Sequence, residues 1–262
     1  MELILYVVLF AFIFEMMDSS AGMGFGTGLT PLLFLIGYDP LQVVPILLIS
    51  EAVTGVTSGI FHNEFQNVKF SIKRPVNKET MIMLLIAGIG CLAIFFSVIL
   101  AYYSLKFPDD LIKAYVGILV LFMGIIGLIR LKQKGRDTYK PKLLTGFAAL
   151  AGFNKGIGAG GYGPVVMMGQ LFSGVYEKTA TAIVSLAEGF VCIVGVTSFL
   201  LISSYGVTID YVLLPSIFTG GFLAAIISPY IVRVLSNNIW KLVIPIYAIS
   251  MGILTLSKVF LI

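Results

Sequence analysis

Apolar residues follow one another in long continuous runs along this chain, without the two-residue alternation of a membrane β-barrel. Residues 80 to 104 and 109 to 132 contain runs long enough to cross a bilayer as helices, with charges only near their ends. The pattern therefore predicts an all-α integral membrane protein whose first partner is the lipid bilayer.

The composition supports this class. Of 262 residues, 58% are hydrophobic and 11% are charged, which leaves too few charges to cover the surface of a soluble protein. Ten of the seventeen Lys and Arg residues lie in the connections 63 to 79 and 130 to 142, so the net charge of +4 indicates topology and not a nucleic-acid surface. Both cysteines lie in apolar spans, and neither a disulfide nor a metal site is expected.

The chain resembles itself at an offset of 137 residues. At this offset "AGMGFGTGL" (21 to 29) falls on "GAGGYGPVV" (158 to 166), with two pairs of glycines in register. Glu51 then falls on Glu188, and each is an acid in the middle of an apolar run. Matching glycine clusters and matching intramembrane acids indicate an internal repeat.

A second offset, of 128 residues, places "KAYVGILVLFMGI" (113 to 125) on "KLVIPIYAISMGI" (241 to 253). We therefore predict two homologous transmembrane repeats, 1 to 132 and 141 to 262, joined by a basic cytoplasmic linker at 133 to 140.

Each half contains two short apolar segments separated by glycines, followed by three longer spans. In the first half these are 3 to 17, 22 to 37, 40 to 62, 80 to 104 and 109 to 132, and in the second 143 to 153, 160 to 174, 178 to 204, 209 to 234 and 238 to 261. A short segment is either half of a broken crossing helix or one arm of a re-entrant hairpin. Hairpins give each half three crossings and an inverted second half, whereas broken crossing helices give four crossings and parallel halves.

The distribution of Lys and Arg favours the inverted arrangement. It places 13 of these residues inside and 3 outside, against 11 and 5 for the parallel arrangement. We expect the connections 63 to 79 and 130 to 142 and the turn 233 to 241 to face the cytoplasm, and residues 205 to 208 to face outside.

The glycine-rich breaks are candidates for a substrate site. Breaks at membrane depth expose helix N-termini and free N–H groups, whose partial positive charge suits an anion, and secondary transporters place them at corresponding positions of two halves. The predicted substrate-binding residues are Ser20, Gly22, Gly24, Gly26, Thr27, Asn154, Lys155, Gly158, Gly160, Gly161 and Gly163. The alternative is that the glycines only let helices pack closely.

Lys155 is a charge at membrane depth, where burial costs on the order of 3 kcal/mol. In the functional interpretation it provides the full positive charge of an anion site. In the structural interpretation it forms an ion pair with Asp18, its equivalent in the repeat. The two interpretations are compatible, because a substrate could compete for the lysine.

Glu51 and Glu188 are a second pair of candidate functional residues. A carboxyl group in a desolvated span can hold a proton at neutral pH, so this pair could couple proton movement to transport. The alternative is that protonated glutamates only bond to a neighbouring helix. The lone histidine, His62, is expected to lie at the interface at the end of a span.

The elements "AGMGFGTGLTPLL" (21 to 33) and "GFNKGIGAGGYGPVVM" (152 to 167), each followed by a span with a glutamate, resemble the TauE/SafE family of sulfite exporters. The resemblance covers nearly the whole chain. It implies a multi-pass transporter in the cytoplasmic (inner) membrane that exports a small anion such as sulfite, sulfoacetate or a related sulfur compound. It implies no cofactor.

An intramembrane enzyme and an anion channel are the two alternatives to a transporter. An intramembrane enzyme would need a nucleophile with a base or a metal cluster, and a single histidine without a Cys or His set argues against one. An anion channel would favour a continuous polar pore. We therefore expect a transporter without catalytic or metal-binding residues, and the sequence carries no signal for an oligomeric state.

Overall fold

A computed structural model describes residues 3–130, 140–234 and 238–261 of the chain. Except for Lys140, the predicted linker lies outside the described residues. Within the described ranges the regular elements are all helical, which confirms the predicted fold class.

Ten α-helices lie in the described part of the chain, and they correspond one to one with the segments predicted from the sequence. They are α1 (Leu5–Ala21), α2 (Thr30–Ile36), α3 (Pro40–Glu64), α4 (Lys78–Val98), α5 (Asp109–Arg130), α6 (Pro141–Gly158), α7 (Tyr162–Phe172), α8 (Glu177–Ser203), α9 (Leu214–Val234) and α10 (Asn238–Leu261). A π-helical segment, Phe25–Leu29, leads directly into α2, and another, Ile99–Ser104, extends α4.

Five helices in the described part of the chain are long and apolar enough to cross a membrane. They are Pro40–Glu64, Lys78–Ser104, Asp109–Ile129, Lys178–Ser203 and Leu214–Val234. Two shorter apolar stretches, Phe25–Ile36 and Pro245–Phe260, also lie within the described residues. The lengths agree with the approximately 20 residues that a spanning helix needs.

Local sequence signals set several helix starts. Asp39 and Gln42 form a capping box at the beginning of α3, which satisfies free N–H groups of the first turn. The Asn77 side chain accepts a hydrogen bond from the Thr80 N–H at the start of α4, at 3.3 Å. Pro141 occupies the first turn of α6, where the missing N–H has no helical acceptor to lose.

The two short segments of each half form a hairpin and not a broken crossing helix. Near the open end of the first hairpin, the hydroxyls of Tyr6 and Tyr38 lie 3.3 Å apart, so the start of α1 and the end of α2 are on the same side. In the second hairpin, Ser173 Oγ donates to the Lys140 carbonyl at 3.4 Å, which brings the end of α7 back to the start of α6. In each half, therefore, the second short segment turns back toward the start of the first.

Helices α3 and α8, which contain the two repeat-related glutamates, pack against each other in opposite directions. Cys192 Sγ lies 3.7 Å from Glu51 Oε2, and a Cβ at Gly59 would lie 2.7 Å from Leu186 Cβ. Residue numbers therefore fall along α8 as they rise along α3. Small residues at this seam allow the close approach of the two helices.

Helices α5 and α10 show the same relation. A Cβ at Gly117 would meet Leu256 Cγ at 3.0 Å, and a Cβ at Gly127 would meet Pro245 Cγ at 2.7 Å. These helices correspond to each other in the repeat, and they too run antiparallel.

Each hairpin packs against a spanning helix of the other half. Helix α1 lies along α9, where a Cβ at Gly220 would be 2.2 Å from the Val8 carbonyl oxygen. Helix α6 lies along α4, where a Cβ at Gly152 would be 2.5 Å from the Gly90 carbonyl oxygen. These contacts hold the two hairpins in place, so that their tips point toward each other.

Candidate functional site

The two hairpin tips are built on the same helix ending. Helix α1 ends at Gly22, which is left-handed (φ 70°) and whose N–H bonds to the Asp18 carbonyl at 2.7 Å. Helix α6 ends at Ala159, which is also left-handed (φ 55°) and whose N–H bonds to the Lys155 carbonyl at 2.8 Å. Asp18 and Lys155 therefore occupy the same position, four residues before the residue that ends the helix.

These endings correct the predicted extent of the breaks. We expected the first arms to end near residues 17 and 153, but α1 continues to Ala21 and α6 continues to Gly158. The left-handed residue ends each helix, and in α6 the glycines before it, Gly152, Gly156 and Gly158, are still helical. Lys155 is consequently a helical residue beside the break.

The tips touch each other backbone to backbone. A Cβ at Gly26 would lie 1.9 Å from the Ala159 carbonyl oxygen, and a Cβ at Gly163 would lie 2.4 Å from the Gly22 carbonyl oxygen. Only glycine allows so close an approach. The contacts are themselves related by the repeat, and they close the region between the two hairpins in this conformation.

Two helix N-termini begin at this contact. The segment that starts at Phe25 follows Gly24 (φ 156°), and α7 starts at Tyr162 after Gly161 (φ 78°). Helix N-termini carry partial positive charge from their free N–H groups. In the first hairpin, Asp18 Oδ1 accepts the Phe25 N–H at 3.2 Å and so satisfies one of these groups.

A buried ion triad lies next to the tips. Lys155 Nζ donates to Glu188 Oε1 at 2.6 Å and forms a salt bridge with Glu51 Oε2. The exposed fractions of Lys155, Glu51 and Glu188 are 1%, 2% and 4%. Cys192 Sγ is a further neighbour of Glu51 Oε2, at 3.7 Å.

The expected ion pair between Lys155 and Asp18 is wrong. The lysine reaches the two glutamates where α3 and α8 cross, whereas Asp18 bonds to Phe25 in its own hairpin and has no salt bridge to a described residue. Lys155 and Asp18 are equivalent by the repeat, and equivalence predicts similar positions and not mutual contact.

The triad carries an unequal number of charges. One ammonium balances one carboxylate, so the second glutamate either holds a proton or leaves an uncompensated charge in the interior. Glu51 Oε1 and Glu188 Oε2 have no hydrogen-bond partner among the described residues. This arrangement is suited to binding and releasing a proton.

The structure divides the predicted substrate-binding residues into two groups. The group at the contact between the tips consists of Gly22, Gly26, Thr27, Gly160, Gly161 and Gly163, and it includes a 3.4 Å hydrogen bond from the Gly161 N–H to Thr27 Oγ1. Gly24 lies against its own helix α1, and Lys155 lies in the ion triad. The second group faces other elements: Asn154 accepts a hydrogen bond from Tyr115 on α5, a Cβ at Gly158 would meet Val116 on α5, and the buried Ser20 hydroxyl has no partner among the described residues. A substrate-binding role for either group stays a prediction.

Comparison with known proteins identifies the family. The profile described as "Sulfite exporter TauE/SafE" matches residues 7–255. The chain belongs to the TauE/SafE family. It is 28% identical over 241 residues to the "Probable membrane transporter protein YtnM" of Bacillus subtilis (strain 168), which covers 87% of this chain and 75% of that protein.

Membership of TauE/SafE confirms several predictions made from the sequence. The chain is a multi-pass transporter of the cytoplasmic membrane, and its family is one of transporters and not of enzymes. The doubled glycine motif identified the family because it forms the two hairpin tips.

Three residues near the site of this TauE/SafE protein were missed or misplaced by the sequence analysis. Glu15 is 2% exposed, and its Oε1 accepts the Ser19 hydroxyl at 2.8 Å. An acid at the end of the apolar run 3 to 17 was the signal for it. Cys192 contacts the triad at Glu51, and no pattern in the sequence predicts this contact. His62 is fully buried and its Nε2 donates to the Ser19 carbonyl at 2.9 Å, so the expected interfacial position is wrong.

Proposed function

We propose that this TauE/SafE protein is a secondary transporter that exports a small sulfur-containing anion, such as sulfite or sulfoacetate, in a proton-coupled cycle. The observation that carries the proposal is the position of Lys155. It lies on the second hairpin, buried between Glu51 and Glu188 and next to the junction of the two tips. An intramembrane cation with two acids is a usual element of ion and substrate pathways.

We infer that the two halves are inverted repeats in the membrane. The antiparallel packing of α3 with α8 and of α5 with α10 supports this, as do the two hairpins, which leave each half with three crossing helices. The basic residues of the sequence then place the 63 to 79 connection in the cytoplasm. The substrate would bind between hairpins that enter from opposite sides.

Anion binding in this proposal uses the helix N-termini at Phe25 and Tyr162 together with Lys155. The tips are in contact, so they must separate for the anion to enter. Closed tips also favour a transporter over a channel, because a channel needs a continuous path.

Coupling follows from competition for the Lys155 ammonium. When a proton neutralises Glu51 or Glu188, that glutamate no longer competes for the lysine, and an anion can take its place. When the proton leaves, the carboxylate recovers the lysine and the anion is released. Binding of a proton and of the anion therefore favour each other.

Transport assays in proteoliposomes test this proposal. We expect saturable sulfite transport that an imposed pH gradient drives against the sulfite gradient, which a channel cannot do. Glu51→Gln and Glu188→Gln should bind sulfite but lose the drive by the pH gradient, because an amide does not titrate. Lys142→Gln, at the exposed start of α6, is the matched control for changes in this hairpin.

Two results would contradict parts of the proposal. Unchanged pH dependence in both glutamate variants would show that the carboxyl groups are structural. Sulfite flux that never exceeds its own gradient would indicate a channel. Competition by sulfoacetate, sulfate and thiosulfate in the same vesicles would define the anion.

A further inference from the structure

Asp18 occupies on the first hairpin the position that Lys155 occupies on the second. Each residue has its carbonyl bonded to the N–H of a left-handed residue four positions later, Gly22 or Ala159, and the two positions are related by the 137-residue offset. The backbone is therefore the same while the charge is opposite. The negative charge of Asp18 on the first hairpin therefore needs a counter-charge other than a lysine at the equivalent position.

Each triad glutamate has a second carboxyl oxygen that is not bonded to Lys155. The lysine takes one oxygen of each, and the other oxygens, Glu51 Oε1 and Glu188 Oε2, have no partner among the described residues. Asp18 is within electrostatic range of both glutamates and of Lys155. A third carboxyl group thus faces a pair that one ammonium does not neutralise.

Glu15 adds a fourth carboxyl group less than one turn before Asp18 on α1. Its Oε1 accepts a hydrogen bond from the neutral Ser19 hydroxyl, and its Oε2 has no partner among the described residues. Glu15 is also within electrostatic range of Asp18, Glu51 and Glu188. Four buried carboxyl groups therefore lie in this region, of which only Glu51 and Glu188 contact the Lys155 ammonium, and full ionisation would leave several uncompensated charges in the interior.

Among the side chains that the structure describes, the elements next to α1 direct their cations elsewhere. Arg233 on α9 donates to the Phe65 carbonyl at 2.7 Å, at the far end of that helix. Lys258 on α10 donates to the carbonyls that end α2, the nearer at 2.8 Å. The remaining titratable neighbours are His62 on α3, which faces the Ser19 carbonyl, and Cys192 on α8, which faces Glu51.

We propose that Asp18 and Glu15 form a second proton-binding site, in which a bound proton neutralises a carboxylate on the first hairpin, whereas on the second hairpin Lys155 supplies a full positive charge. Each proton taken up neutralises one carboxylate and leaves the amino-acid chain otherwise unchanged. A proton fits this site better than a metal ion, because the described residues include no group of three His, Cys, Asp or Glu side chains arranged around a metal. The site rests on the proposed proton-coupled transport and adds protons to each cycle.

The ratio of protons to sulfite tests the inference. In proteoliposomes, the pH gradient that just stops sulfite flux at a fixed sulfite gradient gives this ratio. We expect Asp18→Asn to lower the ratio by one, and Glu188→Gln serves as the reference for loss of coupling at the triad. Asp39→Asn, an exposed acid at the start of α3, is the control.

The outcomes separate the two proposals. If Glu188→Gln loses coupling while Asp18→Asn keeps the wild-type ratio, the second proton site is wrong and the proposed function stands. If neither the wild-type protein nor any variant moves protons, both are wrong. A proton-to-sulfite ratio that is lower in Asp18→Asn than in the wild-type protein supports the second proton-binding site.

A stability measurement keeps the inference testable if Asp18→Asn does not transport. In detergent, the wild-type melting temperature should fall between pH 5 and pH 9 more steeply than that of Asp18→Asn, because the wild type has one more buried carboxyl group that loses its proton as the pH rises. The asparagine can still accept the Phe25 N–H through its side-chain oxygen. Equal pH dependence of the two proteins would overturn the second site.

Discussion

The two hairpins of this transporter share a backbone and differ in chemistry. Both end their first arm on a left-handed residue, and both place a glycine against the carbonyl of the opposite tip. The first then continues as a π-helical segment from Phe25, whereas the second continues directly as α7. The first presents Asp18 at the end of its first arm and the second presents Lys155.

The comparison shows that the repeat conserves geometry and leaves charge free to change. A symmetric scaffold with identical charges would give the two hairpins equal affinity for the same ions. With an acid on one side and a base on the other, protons and anions can bind to different hairpins of one site. Changes at equivalent positions of the two tips therefore test how far the asymmetry extends.

The largest effect is expected from loss of the charge on the second hairpin. Lys155→Gln leaves Glu51 and Glu188 buried without a cation, and removing one partner of a buried pair costs about 3–5 kcal/mol. SDS-induced unfolding in mixed micelles measures the loss in unfolding free energy.

The control for this change is Lys142→Gln, which removes an exposed lysine from the same helix. A double variant, Lys155→Gln with Glu188→Gln, should recover part of the lost stability. Equal stability of Lys155→Gln and the wild-type protein at pH 8 would contradict the triad as a balanced unit.

The next largest effect is expected at the contact between the tips. Gly26→Ala and Gly163→Ala place a Cβ 1.9 Å and 2.4 Å from a carbonyl oxygen of the opposite tip. Overpacking of this kind costs about 1–3 kcal/mol, and sulfite transport should fall at least tenfold because the tips cannot close. Melting temperature and initial transport rate measure the two effects.

Gly146→Ala on α6 is the matched control, because no atom outside its own helix lies within 4 Å of the added Cβ. It should raise stability slightly, since alanine favours the helix. Similar transport by Gly26→Ala and Gly146→Ala would mean that the tips do not need to be in contact.

A smaller effect is expected from the left-handed residues. Ala159 has φ 55°, and a side chain in that region costs about 1–2 kcal/mol, so Ala159→Gly should stabilise the protein by about 1 kcal/mol. Gly22→Ala, the reverse change in the first hairpin, should destabilise it by more, because its Cβ would also meet Met167 Sδ at 2.7 Å. Melting temperatures that move in the same direction for both variants would contradict the equivalence of the two helix ends.

The smallest effect is expected at the open ends of the hairpins. Tyr38→Phe and Ser173→Ala each remove one weak hydrogen bond, at 3.3 Å and 3.4 Å. Each should change the unfolding free energy by less than about 1 kcal/mol. A larger loss in either variant, measured in mixed micelles as before, would show that the hairpin is held by its ends and not by packing along α9 or α4.

Much of the fold could be predicted from the sequence because its signals are local. Apolar runs and glycine clusters located each helix to within a few residues, and the 137-residue offset related the two tips. The sequence could not distinguish hairpins from broken crossing helices, because that depends on where the second arm packs. The contact between Tyr6 and Tyr38 shows that the second arm of the first hairpin turns back toward the start of the first arm.

The partner of Lys155 could not be predicted from the repeat. Residues related by an approximate two-fold axis contact each other only where they lie on that axis. Glu51 and Glu188 reach the same ammonium because α3 and α8 cross there. Asp18 and Lys155 lie on separate hairpins, and Lys155 forms salt bridges at that crossing whereas Asp18 bonds to Phe25 in its own hairpin. The offset identified all four residues, and only the three-dimensional packing could say which of them touch.

The opposite charges of Asp18 and Lys155 also bear on what a single chain with two predicted repeats can do that a homodimer cannot. Two identical copies of the second half would form a homodimer with two lysines and two glutamates at its centre, which is electrically balanced. Two copies of the first half would bring together Glu15, Asp18 and Glu51 from each subunit with no cation among them. A single chain is what allows one protein to hold an acidic and a basic tip at the same time, since a homodimer must repeat every substitution in both subunits.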